Sequence, residues 1–324
     1  MKKIISIGEA LIDFIPNRKG CDLKDVTGFE RVCGGAPANL ACAIARLGGN
    51  SALISCVGND GFGSYIIETL ANAGVDTSMI VRTDKANTTL AFVSLKQDGN
   101  REFSFYRSPG ADMLLDENDL NLGEIKKCGI LHFGSVALVE SPSKYAHKKA
   151  IAAAKENGAV ISFDPNIRLP LWRNASDCLA AVREFLPLAD IVKISDEELE
   201  FVTGIKDENM ALASLLDGGA KMVLYSLGAK GARLITRNQD VFCPALPVTA
   251  VDTTGAGDAC VGSLLYRLAK DDITAAQLSE ITEEKLREYL AFSVGYSALS
   301  VTKKGAVSSY CDYETTINFI RERT

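Results

Sequence analysis

Histidine is almost missing from this chain. His132 and His147 are the only two among 324 residues, too few for a histidine-rich metal site. Paired cysteines are missing as well: nine thiols stand far apart, at 21, 33, 42, 56, 128, 178, 243, 260 and 311, with no CxxC pair and an odd total. That distribution excludes a disulfide framework or a zinc site and predicts reduced thiols in a cytoplasmic protein. Positive charge is in deficit, with a net charge of −6 and a pI near 5.2. A general nucleic-acid or anionic-membrane surface, which needs clustered Lys and Arg, is therefore not expected, and the partners should be small molecules. No apolar run reaches transmembrane length. The opening MKKIISIGEALIDF has the lysines and apolar residues of a signal peptide, but Gly8, Glu9 and Asp13 interrupt it and no small-residue cleavage site follows, so it predicts a buried first strand. Two nucleotide motifs are absent too: there is no GxxxxGK[ST], and no GxGxxG follows the first strand. No repeat, low-complexity tract or linker divides the chain, so residues 1–324 are expected to form a single domain.

What is present is a hydrophobic content of 47%, enough for a large core. Short β-branched runs predict strands at 4–7, 52–57, 130–133, 159–163, 190–194 and 222–227. Between them, APANLACAIARLG puts Leu40, Ala43, Ile44 and Leu47 on one helical stripe ending at Gly48, and GFGSYIIETLANAG ends similarly at Gly74. The alternation predicts an α/β fold with a mostly parallel sheet covered by helices on both faces. One region departs from it. Thr88 to Arg107 reads as two strands joined by a turn at Asp98-Gly99, and with Leu11 to Val32 it predicts a small antiparallel sheet that no helix covers. Phe103, Phe105 and Arg107 alternate onto one face of that sheet; they either pack on their own domain or present two aromatics and a cation to a ligand.

In α/β sheets the loops at the carboxyl ends of the strands line the binding crevice, and the unusual residues of this chain fall there. Asp13 lies shortly after the first strand, CGGAPAN leads into a helix carrying Asn39, FDPNIR ends in Arg168, KISDEE brings Lys193, Ser195 and Glu198, and SLGAKG brings Ser226 and Gly228. In VDTTGAGDAC the turn of Gly255, Ala256 and Gly257 opens a helix, so its backbone N–H groups and the helix dipole suit an anion, while Asp258 in the same turn should stay ionised and accept a hydroxyl proton. The same tetrapeptide also reads as a loop ending in an Asp N-cap, and by itself it does not choose between the two.

VDTTGAGDAC resembles the C-terminal signature of the ribokinase-like (PfkB) sugar kinases, and GGAPANLACAIARLGG resembles their N-terminal signature; the likeness runs from GEALIDF to VTKKGAVSS. Within that family, REFSFYRSPGADMLL, DPNIRLPLW and ADIVKISDEELEFVTG look most like fructokinases. The resemblance implies a ribokinase-like three-layer α/β/α domain whose segments at about 12–32 and 88–108 form a lid, and an ATP- and magnesium-dependent kinase making fructose 6-phosphate from D-fructose. It implies Asp258 as catalytic base and the backbone of Gly255, Ala256, Gly257 and Asp258 as anion hole. Asp13, Gly34, Gly35 and Asn39 would hold the sugar, with Arg107 reaching down from the lid and Arg168 from the wall. Lys193, Ser226, Gly228 and Gly231 would follow the nucleotide, Glu198 would arrange magnesium through water, and Asp252, Thr254, Gly305 and Ser309 match a potassium site. Ser195 stands where the family often has Asn, Cys260 where an aromatic or apolar residue is usual, and Val294 where a polar one is frequent. The neighbouring alternatives are a kinase for 2-keto-3-deoxygluconate or another sugar, since Arg107 and Arg168 could pair with a carboxylate, and a silent sugar sensor, which would need neither base nor anion hole. Exposed edges of a lid sheet invite pairing, so a homodimer through the lid is a further expectation.

Overall fold

The structure is a computed structural model that describes residues 1–18, 20–95 and 101–323. Its strands are β1 (Ile4–Ile7), β2 (Leu11–Pro16), β3 (Phe29–Gly34), β4 (Ser51–Gly58), β5 (Ile80–Thr83), β6 (Leu90–Leu95), β7 (Arg101–Tyr106), β8 (Ile130–Gly134), β9 (Val160–Asp164), β10 (Ile191–Ser195), β11 (Met222–Ser226), β12 (Gly231–Ile235) and β13 (Asp240–Pro244). Among the described residues, nine of them form one sheet in the order β13-β12-β11-β10-β9-β8-β1-β4-β5. Pairing is parallel from β5 to β11 and antiparallel only at β12 and β13.

The helices are α1 (Ala36–Arg46), α2 (Gly61–Asn72), α3 (Leu122–Ile125), α4 (Pro142–Lys155), α5 (Ala175–Phe185), α6 (Asp196–Thr203), α7 (Glu208–Asp217), α8 (Ala256–Lys270), α9 (Glu283–Ser300) and α10 (Tyr313–Arg321). They cover both faces, which is why the parallel strands are apolar at nearly every position instead of alternating. Ile5, Leu131, Ile161 and Val192 pack on one side with α4 to α7, while Ile4, Ile130, Val160 and Ile191 pack on the other with α1, α8 and α9. Local signals start the helices: Asp60 caps α2 by accepting from the backbone of Phe62 and Gly63, and Pro37 stands in the first turn of α1. None of the described helices is long and apolar enough to cross a membrane, and all nine cysteines are free thiols.

The other four strands make the small sheet, in the order β3-β2-β6-β7. Two antiparallel pairs, β2 with β3 and β6 with β7, are joined by a parallel contact in which Ile12, Asp13 and Phe14 face Leu90, Ala91 and Phe92. The sheet is therefore mixed, not antiparallel throughout. Nor is it uncovered: Phe14 stacks on Phe92 at 4.7 Å and meets Phe62 of α2 edge-on at 5.8 Å, and Arg31 lies over the Tyr65 ring at 4.1 Å. The foreseen turn at Asp98-Gly99 and the Phe103 side chain lie outside the described residues.

Candidate active site

A cavity of about 340 Å³ opens at the carboxyl ends of β1, β8, β9 and β10, under the small sheet. Alternation in β2 and β7 turns Leu11, Asp13 and Phe105 toward it. Gly34 ends β3 opposite Leu11, and a Cβ there would stand 2.1 Å from Asp13 Oδ2, so glycine is what lets the carboxylate lie across that strand.

On the floor, α8 begins at the cavity. Gly255 is its N-cap in the left-handed region (φ 77°), where an added Cβ would come within 2.5 Å of Ala306 and of the Tyr310 hydroxyl. Asp258 is thus in the first turn of the helix and is not its N-cap. The first N–H groups of a helix have no acceptor within it, and Gly255, Gly257 and Asp258 all line the cavity. Tyr310 donates to the Gly255 carbonyl at 3.0 Å and Ser297 to the Ala256 carbonyl at 2.9 Å, which fixes the turn from outside. Asn39 Nδ2 donates to Asp258 Oδ2 at 2.9 Å. Burial pushes the Asp258 carboxyl above its ordinary value, against the Asn39 hydrogen bond and the charges of Lys193 and Arg168.

Lys193 sits beneath the turn, its ammonium 3.1 Å from both Asp164 oxygens and 4.0 Å from Glu198 Oε2. Burial disfavours its charge, but the carboxylates of Asp164 and Glu198 win and its pKa rises. Burial pushes Asp164 up to about 6. Glu198 is held below its usual range despite burial, because Lys193 and the N–H groups of Ile167 and Ser195 face it. Through the Ile167 bond it also fixes the segment that carries Arg168 into the cavity wall.

Of the residues singled out from sequence, Asp13, Gly35, Asn39, Arg168, Lys193, Glu198, Thr254, Gly255, Gly257 and Asp258 meet around this cavity. Arg107 does not reach down into it: the side chain is buried, Nε and Nη2 engage Asp112 Oδ2 at 2.8 and 2.6 Å, and Nη2 also donates to the Val136 carbonyl. Asp112, on a 3-10 turn at Ala111–Leu114, takes the guanidinium because a desolvated charge needs its counter-charge at contact. Ser226 is the register partner of the cavity residue Ser195, and Gly228 and Gly231 follow it outside the lining. Asp252 accepts from Thr254 N and Oγ1 and, at 2.9 Å, from Gly305 N, whereas the Ser309 hydroxyl is turned to the Ala306 carbonyl. Val294 is packed into the core, as is Cys260.

Sequence reasoning missed Glu9 and Asp164. Both line the cavity, and both are within 3% of full burial. The available signal was position: an acid just beyond β1 and another closing β9, both at carboxyl ends in an apolar context.

The comparisons with known proteins bear on the family and the fold. Residues 1–312 match the pfkB family carbohydrate kinase description. Fructokinase-2 of Oryza sativa subsp. japonica is 45% identical over 305 residues, covering 94% of this chain and 89% of its own length. The fructokinase of Xylella fastidiosa with bound ATP superposes with a TM-score of 0.89 at 35% identity, over 99% of this chain and 98% of that one. A double-mutant fructokinase from Vibrio cholerae O395, in a form with fructose, ADP and potassium ion, gives 0.85 at 35% identity over 99% and 98% of the two chains. Signatures, sheet order and relatives matched along nearly the whole chain lead to one conclusion: this protein belongs to the pfkB family of carbohydrate kinases.

Proposed function

We propose that the chain is an ATP-dependent fructokinase that converts D-fructose to fructose 6-phosphate. The observation that carries the mechanism is Asp258, held by Asn39 in the first turn of α8 beside the Gly255–Gly257 backbone. The proton of the sugar's 6-hydroxyl passes to the Asp258 carboxylate while the hydroxyl oxygen bonds to the γ-phosphorus of ATP. The bond from that phosphorus to the β–γ bridging oxygen breaks and ADP leaves. With a loose transition state the proton departs late, so a weak base suffices, and alignment and charge stabilisation do most of the work. Apart from Ala256 N, which donates to the Thr253 carbonyl, the first N–H groups of α8 are suited to the transferring phosphoryl group, and Lys193, Ser226, Gly228 and Gly231 follow the path of the nucleotide.

Magnesium usually arrives with the nucleotide phosphates and needs few protein ligands. Glu198 would reach the ion through water, and the ion would neutralise phosphate charge. Potassium would sit where Asp252 meets Thr254 and Gly305, holding the turn in shape without touching the sugar. The small sheet serves as the lid and excludes the water that would compete for the phosphoryl group.

The substrate reading follows the relatives named fructokinase, and Arg107 supports it, since an arginine already paired with Asp112 is not free to take the carboxylate of a sugar acid. Asp258→Asn should fold and bind ATP while turnover falls roughly a hundred- to ten-thousand-fold. Turnover near the parent value in that variant would remove Asp258 from the chemistry. Initial rates over a panel containing fructose, ribose and 2-keto-3-deoxygluconate at fixed MgATP test the substrate, with fructose expected first.

A further inference from the structure

Seven residues among those described carry a buried side-chain nitrogen or oxygen without a hydrogen-bond partner: Glu9, Asn39, Ser55, Ser135, Ser143, Trp172 and Arg267. Only Glu9 and Asn39 line the cavity, and in both the orphan is an oxygen. Asn39 has its amide nitrogen on Asp258, so its Oδ1 is left over. Glu9 has its Oε1 accepting from Ala36 N at 3.2 Å, at the start of α1, so its Oε2 is left over. The residue is 3% exposed, and Arg107 and Asp112 are the charged groups acting on it. Native proteins leave few such groups unpaired, and two unpaired buried acceptors on residues that line one cavity suit a ligand that brings hydroxyl donors.

We infer that Glu9 is a substrate-contacting residue whose Oε2 accepts a hydrogen bond from one sugar hydroxyl remote from the phosphorylated position. The inference rests on the sugar-kinase reading and extends it by one specificity contact. Glu9→Gln should be well tolerated by the fold, because the amide oxygen can still accept from Ala36 N and the amide nitrogen then replaces Oε2, turning an acceptor into a donor.

The test is a coupling experiment at saturating MgATP with D-fructose and its 1-deoxy, 3-deoxy and 4-deoxy analogues. For fructose, Glu9→Gln should lower kcat/KM about tenfold or more, mainly through KM, and for the one analogue lacking the contacted hydroxyl the penalty should vanish. A penalty of equal size on every sugar, or no penalty on any, would reduce Glu9 to a tie for α1 and overturn the inference. If Glu9→Gln does not fold, Glu9→Asp, which keeps the charge and shortens its reach, is scored by the same selective loss. The parent enzyme in the same panel tests the substrate reading separately: if it prefers another sugar, the coupling is measured on that sugar and its deoxy analogues, so Glu9 is judged either way.

Discussion

Glu9 and Asp164 are carboxyl groups withdrawn from water, and burial raises them to about 7 and about 6. Their linkage to stability runs opposite to that of a surface carboxylate in an ion pair. Glu9 has an ordinary value of 4.5 in the unfolded chain, so between 4.5 and about 7 the folded state binds the extra proton and stability falls as pH rises. Above about 7 the cost is complete, on the order of 3 kcal/mol. Glu9→Gln should therefore gain in melting temperature over the parent as the pH goes from about 5 to about 8. An unchanging difference would show that the carboxyl titrates at its ordinary value. Asp76 runs the other way: held near 2 by Ser78 and Lys3, it contributes stability that is lost as pH falls below its ordinary 3.8. None of this was legible in the letters, because an acid after a strand looks the same whether it is solvated or sealed in. Asn39 and Asp258 were legible, since each stands in a stretch that resembles a family signature.

The elements were legible where the signal is local. The strands foreseen from β-branched runs fall within one residue of β1, β4, β8, β9, β10 and β11, and the helix stops at Gly48 and Gly74 coincide with glycines of positive φ. The parallel contact of β2 with β6 was not foreseen, because it joins strands far apart in the chain with no turn between them to announce it. The Asp112 grip on Arg107 was missed for a similar reason: the pattern of a strand says which face a side chain takes, not what awaits it there. The turn before α8 shows what an element owes to its neighbours. Its shape depends on Tyr310, Ser297 and the Asp252–Gly305 bond, all outside the helix. If potassium completes that support, turnover should be higher in potassium than in tetramethylammonium at equal ionic strength, and equal rates in the two salts would exclude an ion there.

At the scale of the whole molecule, two sheets face each other across a cavity lined by both, with Asp13 and Phe105 on one side and Asp164, Lys193 and Asp258 on the other. Bringing them together over a bound sugar is the expected motion. Hydrogen exchange should slow along residues 11–16 and 90–95 when fructose and a non-hydrolysable ATP analogue are added together, more than with either alone, and unchanged protection would deny the small sheet its closing role. The bond from Asn39 to Asp258 spans the molecule in another sense, joining residues 219 positions apart at 2.9 Å. A ribosome adding about 5–20 residues per second needs roughly 10–45 s to go from one to the other. For that whole interval the emerging chain already carries α1 with Asn39, but it has no Asp258 and no α8 turn. The Asn39–Asp258 pair is thus completed late in synthesis, when most of the parallel sheet has already been made.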